Sequence, residues 1–409
     1  MRIALAFLLA AACYGRQSDA LAIDALIQSR HLPFGGILDP IFATPDSEAI
    51  SGYTRCGDSA LWTGHYLAAE SYRYKVSGDP AALSNAQAAL AYLKTLVDVT
   101  GTDLLARCVV PINSNYAAGI TSEESANGIH NSGPNFWIGN TSRDEYSGAF
   151  FGLSVAYDFV NQPDVRAGAQ ALATRMLNFL LAHAWTVVMP DGTVSTTFVI
   201  RPDEQLALMQ IGKQVNPTAF ASAYQNLASS VAAIAAIPVI VDAGDVRDSY
   251  FKFNLDAINF YDLVRLESNA SLLSQYRSAY SVYWNAIKTH MNPHFNMIDR
   301  ALNGPNASRD AQTVAYLEQF LERPRRDVYV NLEGQFPSCV SADQSCNPLP
   351  IPVRVTTDFL WQRSPFQLVG GGSGTIEGAG IDYILPYWMA RYYGVLHAGD
   401  PLGTLHKRL

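Results

Sequence analysis

Asp58-Ser59-Ala60-Leu61-Trp62-Thr63-Gly64-His65-Tyr66, running on to Val76, then Ser77-Gly78-Asp79-Pro80, then an Ala/Leu-rich stretch to Val97, decides the fold. Between Asp58 and Val76 the side chains of Leu61, Trp62, His65, Leu67, Ala68 and Tyr72 recur at helical spacing. Gly78 stops that helix and Pro80 starts the next, because Gly tolerates the helix-ending conformation and Pro fits a first turn. The segment therefore predicts a helical hairpin.

The hairpin repeats. Ser142 to Val160 pairs with Val165 to Trp185, and Val246 to Leu266 with Ala270 to His290. Weaker copies are Asp203 to Val215 with Pro217 to Ala236, and Ser308 to Glu322. A last helix is expected from Gly380 to His397 and an opening one from Ala20 to Arg30. Hairpins that cannot bury their own faces must stack on neighbours. The helices that open each pair carry aromatic and charged residues, as in Asp144-Glu145-Tyr146, whereas their partners are bland. That alternation predicts an all-α fold, an (α/α)6 toroid whose inner helices line a polar hollow. Long loops at Gly101–Asn140, Pro190–Pro202 and Arg323–Gly378 are read as functional, with short strands at Val187 to Ile200 and Val353 to Leu360. Gly370-Gly371-Gly372-Ser373-Gly374 is read as a lid or pocket loop.

Bulk properties agree with a large core. Of 409 residues, 49% are hydrophobic and 16% charged, with a net charge of −8 and no basic stripe, which weighs against nucleic acid as a partner. Arg2 followed by the apolar run Ile3 to Ala12 reads as a signal peptide over residues 1–20, leaving 21–409 as one domain. Export to the periplasm or beyond follows. Cys13 leaves with that peptide or marks a lipid anchor. No later run of eighteen apolar residues exists to span a bilayer. Cys339 and Cys346 share one loop, which leaves Cys56 and Cys108 to pair, although other connectivities stay open. No metal or other cofactor is expected, and His290, His294 and Asp299 are too loosely spaced for a metal site. Phosphate-binding glycine loops, a Gly-x-Ser-x-Gly elbow and His-Glu-x-x-His are all absent.

Three constellations carry candidate chemistry. In Ser142-Arg143-Asp144-Glu145-Tyr146, Ser142 and Glu145 form a capping box, which leaves Arg143, Asp144 and Tyr146 unexplained by capping. Asp144 there suits a general acid, base or nucleophile. Asp58, Trp62 and His65 stand at i, i+4 and i+7 on one helix face, and an N-cap role for Asp58 with packing roles for the rings is the competing reading. Asp358 to Phe366, with Glu377 and Asp382, offers Trp361 for stacking and Arg363 for holding a carboxylate, against a plain salt bridge. Asn127 to Asn131 is a loop placed over the hollow or simply exposed.

From Asp58 to Tyr393 the hairpin rhythm, with acids at the starts of inner helices, resembles the six-hairpin glycosidase-like superfamily. The resemblance implies a glycoside hydrolase or lyase acting on an oligosaccharide that carries uronic acid. It assigns acid/base work to Asp58 and Asp144; on the residues themselves Asp144 is read as the main acid/base and Asp58 as its partner or a substrate anchor, with Arg143 and Arg363 holding a carboxylate and Trp62, Tyr146 and Trp361 stacking. Tyr53, Cys56, Cys108, Tyr74 and Tyr146-Ser147-Gly148 are also similar to linalool dehydratase-isomerase, which implies a lyase or isomerase of a small terpenoid-like alcohol. The absence of mid-chain cysteines departs from that pattern. A non-catalytic binding protein is the third alternative, and it predicts acids that are capped or salt-bridged.

Overall fold

The structure is a computed structural model that describes residues 15–340, 346–355 and 358–398. Cys13 and most of the expected signal peptide lie outside the described residues. The chain is mainly helical, with fourteen α-helices and three small antiparallel sheets among the described residues.

In chain order, α1 (Gly15–Leu26) runs into a π-helical turn, and a hairpin of β1 (Asp39–Phe42) and β2 (Ile50–Thr54) follows. Then come α2 (Ser59–Ser77) and α3 (Pro80–Asp98). The next segment holds β3 (Cys108–Pro111), α4 (Ala117–Glu123), β4 (Ile129–Ser132) and β5 (Asn135–Ile138). Next are α5 (Arg143–Phe159), α6 (Pro163–Ala182), β6 (Thr186–Val188), β7 (Val194–Thr197), α7 (Pro202–Val215), α8 (Pro217–Val231) and α9 (Ala236–Ala243). The chain closes with α10 (Phe251–Arg265), α11 (Ala270–Ile287), α12 (Pro293–Asn303), α13 (Ala307–Phe320), β8 (Arg326–Asn331), β9 (Val369–Glu377) and α14 (Ile381–Tyr392).

Local chemistry explains the helix starts. Proline occupies the first turn of α3, α6, α7, α8 and α12. Asp79, Asn216, Asn269, Asn292 and Asn306 accept first-turn amides as N-caps. Helix α12 is absent from the sequence reading, although its Asn292-Pro293 start is the same signal.

Helices α2, α5, α7, α10, α12 and α14 are buried on nearly every side, while α3, α6, α8 and α11 bury one face. A helix buried all round belongs to the interior. The contacts follow this division. Helix α2 packs on α5 and α14, α7 packs on α5 and α10, and α12 packs on α10 and α14. Helices α3, α6, α8, α11, α13 and α1 back onto α2, α5, α7, α10, α12 and α14 respectively. No single described helix is long and apolar enough to cross a membrane.

Helices α2 and α5 approach most closely, and glycine makes this possible. A β-carbon on Gly64 would fall on the Gly148 carbonyl, and one on Gly152 would fall on the Gly64 carbonyl.

The small sheets correct part of the sequence reading. The four-stranded sheet runs β2-β1-β9-β8, so Gly370 to Gly374 belong to a strand rather than to a pocket loop. Gly371 is at φ 87°, where a β-carbon would also strike the Val328 carbonyl of β8. A second sheet orders β3-β5-β4, and β6 pairs with β7 across Pro190-Asp191-Gly192. Ile351–Val353 and Leu360–Gln362 are single 3-10 turns rather than the ends of a strand. Disulfides join Cys56 to Cys108 and Cys339 to Cys346. Two disulfides are compatible with an exported chain.

Candidate functional site

The starts of α2 and α5 lie side by side because Gly64 and Gly148 let their backbones touch. Glu145, in the first turn of α5, accepts the Leu61 amide of α2 at 3.0 Å. Ser142, at the cap position of α5, bonds to Asp144 instead of capping. The expected capping box within one helix is thus replaced by a carboxylate that caps the neighbouring helix, whose first turn is electropositive. Asp58 sits at the cap position of α2, and its side chain makes no cap bond. Its carboxyl is left available.

Oxygens of Asp58, Asp144 and Glu145 lie within 4.8 Å of one another. Arg107 ties the group down. Its Nη1 donates to the Gly57 carbonyl at 2.7 Å and lies 3.6 Å from Glu145 and 4.0 Å from Asp58. The Cys56–Cys108 bridge places Arg107 beside Asp58, since each is close in sequence to one half-cystine. Arg55, with φ 65°, reaches Asp39 at 3.3 Å and Asp358 at 3.0 Å.

Asp58 keeps 34% of its side-chain surface exposed, with Arg107, Asp144 and Glu145 close around its carboxyl. Burial, followed by the charges of Asp358 and Asp144, pushes its pKa up to about 7, against the opposing pull of Arg107 and Arg55. Burial also drives the Glu145 carboxyl well above its usual range, with Arg107 working against it.

The elevated Asp58 pKa gives a stability prediction. A carboxyl that holds its proton more tightly when folded stabilises the protein fully below its unfolded pKa, near 4. That stability is lost as pH rises through its folded value of about 7. Asp58→Asn, which stays neutral, should therefore match the wild type near pH 4.5 and melt at a higher temperature than the wild type at pH 8. Thermal melts at the two pH values check this, and a difference that does not change with pH would rule it out.

The other sequence candidates are placed as follows. Arg143 donates to Glu204 of α7 at 2.8 Å. Asp203 and Glu204, in the first turn of α7, surround Arg201 together with Asp242 and Asp256. Tyr146 is fully buried, and its hydroxyl accepts the Leu105 amide. Trp62 is buried and stacked on Phe359 with centroids 4.9 Å apart. His65 is buried between Leu61 O and Asn254, and burial lowers its pKa to about 4. Trp361 is buried and donates to the Asp382 carbonyl at 2.5 Å. Arg363 is paired with Asp358. Glu377 is held among Arg30, His31 and Arg325, and hydrogen bonding and positive charge lower its pKa to about 2 against the cost of burial. Asp382 accepts the Leu360 amide, and burial raises its pKa to about 7.

The structure therefore brings Asp58 and Asp144 together and keeps Tyr146, Trp361, Glu377 and Asp382 in separate buried or paired arrangements, while Arg363 meets the site only through Asp358. Glu145, Arg107 and Asp358 join the site without having been singled out for it. Arg107 was the most findable, because it precedes a cysteine whose expected partner lies two residues from Asp58.

Among the described residues the His, Cys, Asp and Glu groups close enough to share a cation are Asp58, Asp144 and Glu145. Glu145 is already engaged by an amide and a guanidinium. His290 bonds to Tyr250, and Asp299 is paired with Arg309, so neither joins His294 as a ligand set. Asn131 and His130, from the segment read as either overhanging the hollow or simply exposed, lie on β4 and line a cavity of about 490 Å³ with Thr100, Trp137 and Pro190. No protein-family model matches this chain, and no curated protein is similar to it.

Proposed function

We propose that this chain is an exported carbohydrate-active enzyme, a glycoside hydrolase or lyase, built as an (α/α)6 toroid similar to the six-hairpin glycosidases. The toroid reading is supported by the order of packing, in which each of the six buried helices touches the next and α14 returns to α2. The observation that carries the activity is the carboxyl pair. Two acids from the starts of two different helices lie within 4.8 Å, and one of them holds a proton near neutral pH.

Asp58 is the general acid in this reading. Its pKa of about 7 lets it carry a proton to the leaving glycosidic oxygen. Asp144 is the nucleophile or base, oriented by Ser142. The short separation belongs to the retaining class, in which the carboxyls stand about 5–5.5 Å apart and no water fits between them. Arg143 and Arg363 are occupied by Glu204 and Asp358, and Arg55 by Asp39 and Asp358, which leaves Arg107, 4.0 Å from Asp58, for a uronate carboxylate.

A panel of aryl glycosides and unsaturated uronides tests this. Asp144→Asn and Asp58→Asn should each lower kcat by about 10²–10⁴ on the substrate that is turned over. Proton NMR of the first-formed sugar should show a retained anomer, and the wild-type rate should fall as pH rises past about 7. Unchanged turnover in Asp144→Asn overturns the assignment.

A further inference from the structure

Along α2 from Asp58, an aromatic side chain packs against polar side chains that it cannot satisfy. Phe359 is buried, and its ring centroid lies 4.9 Å from that of Trp62, 5.2 Å from that of His65 and 5.8 Å from that of His294. Trp62 Nε1, both ring nitrogens of His294, and Asn254 Oδ1 are all buried with no hydrogen-bond partner among the described residues. His65 is satisfied, since its Nδ1 faces Leu61 O at 2.9 Å and its Nε2 faces Asn254 Nδ2 at 3.3 Å. The unpaired set therefore comes from three buried helices, α2, α10 and α12: the Trp62 and His294 rings lie against Phe359, and Asn254 joins them through His65.

The chemistry of the set is specific. Trp62 supplies a donor, Asn254 an acceptor, and a neutral imidazole one of each. Buried polar groups without partners are destabilising, so an apolar ring is a poor occupant here. A satisfying occupant needs a ring-sized body with at least two donors and two acceptors on its rim. A pyranose meets that description, because each hydroxyl both donates and accepts. The location agrees. Trp62 lies four residues after Asp58 on one helix face, which sets it about 6 Å further along the axis.

We infer that Trp62, Asn254 and His294 line a pyranose-binding chamber beneath Asp58 and Asp144, and that Phe359 occupies it in place of the sugar ring. This rests on the glycosidase reading for the identity of the ligand, but the binding can be tested apart from catalysis. Asp358, which precedes Phe359, is paired with Arg55 and Arg363. Those ion pairs hold the phenyl ring in place.

The test titrates methyl β-glucopyranoside into full-length Phe359→Ala and follows the ¹⁵N signals of the histidine rings. Saturable binding at least tenfold tighter than in the wild type is expected, with the His294 nitrogens shifting. Adding Trp62→Phe or His294→Leu should weaken that binding tenfold or more. A folded Phe359→Ala protein that binds no better than the wild type overturns the chamber, and so does binding that is indifferent to Trp62 and His294. Should Phe359→Ala fail to fold, His294→Phe in the wild-type background serves instead. It replaces two unpaired ring nitrogens without opening a cavity, so the melting temperature should hold or rise, whereas a clear drop overturns the inference. Asp144→Asn in the Phe359→Ala protein separates the two readings. Binding that survives while turnover is also unaffected keeps the chamber and removes the acid/base assignment.

Discussion

Gly64→Ala should unfold the protein or destabilise it by at least about 3 kcal/mol, the upper range for forcing extra volume into a packed core. The added methyl would meet the Gly148 carbonyl, and backbone cannot rotate away as a side-chain tip can. Gly148→Ala should behave similarly, since its β-carbon would lie 2.8 Å from both Leu61 Cα and the Leu61 carbonyl oxygen. Relief requires α2 and α5 to separate. Separation would pull Leu61 N away from Glu145 and widen the gap between Asp58 and Asp144. Any folded remnant should therefore lose turnover more than its stability loss explains. Gly78→Ala is the control. It has no atom within 4 Å of its would-be β-carbon, so only its φ of 65° opposes the change. Urea unfolding of the three variants checks the ranking, and a Gly64→Ala protein as stable as Gly78→Ala would refute the close-packing account.

The hairpin rhythm was legible because its signals are local. Proline at a first turn, glycine at a helix end and apolar spacing act within a few residues. Pro80, Pro163, Pro202 and Pro217 announce their helices, and Asn292-Pro293 would have announced α12 had it been given weight. The strands were less legible. Val369 to Glu377 reads as a flexible glycine run, yet its glycines serve a strand pressed against β8 and Pro45. That pressure comes from segments more than 40 residues away, which no local pattern encodes. The site divides in the same way. Asp58 and Asp144 stood out as acids at helix starts, a local feature. Glu145 was explained away as part of a capping box, and only the packing of α5 on α2 shows that it caps a different helix. Tyr146 and Trp361 looked like stacking platforms because aromatic residues serve cores and ligands alike, and full burial was decided by distant neighbours.

Replacing both Cys56 and Cys108 by Ala should cost about 4 kcal/mol, whereas replacing Cys339 and Cys346 should cost about 2 kcal/mol. The loops closed span 52 and 7 residues, and the unfolded-chain entropy removed grows with the logarithm of loop length. The functional consequences should differ more than the stabilities. Cys56 lies two residues before Asp58, and Cys108 directly follows Arg107, whose guanidinium holds Gly57 O and faces both Asp58 and Glu145. Cutting that bridge frees the acid from the cation that moderates its pKa. Burial and the charge of Asp144 would then act on Asp58 with less opposition, so the upper limb of the pH–rate profile should move to higher pH as kcat falls. The Cys339–Cys346 bridge closes a loop after β8 and touches none of these groups, so its loss should leave kcat and the profile unchanged. Urea unfolding with pH–rate profiles on both double variants makes the comparison. Equal losses of stability, or a profile that stays fixed when Cys56 and Cys108 are removed, would show that Arg107 is positioned by the strand pairing of β3 with β5 rather than by the disulfide.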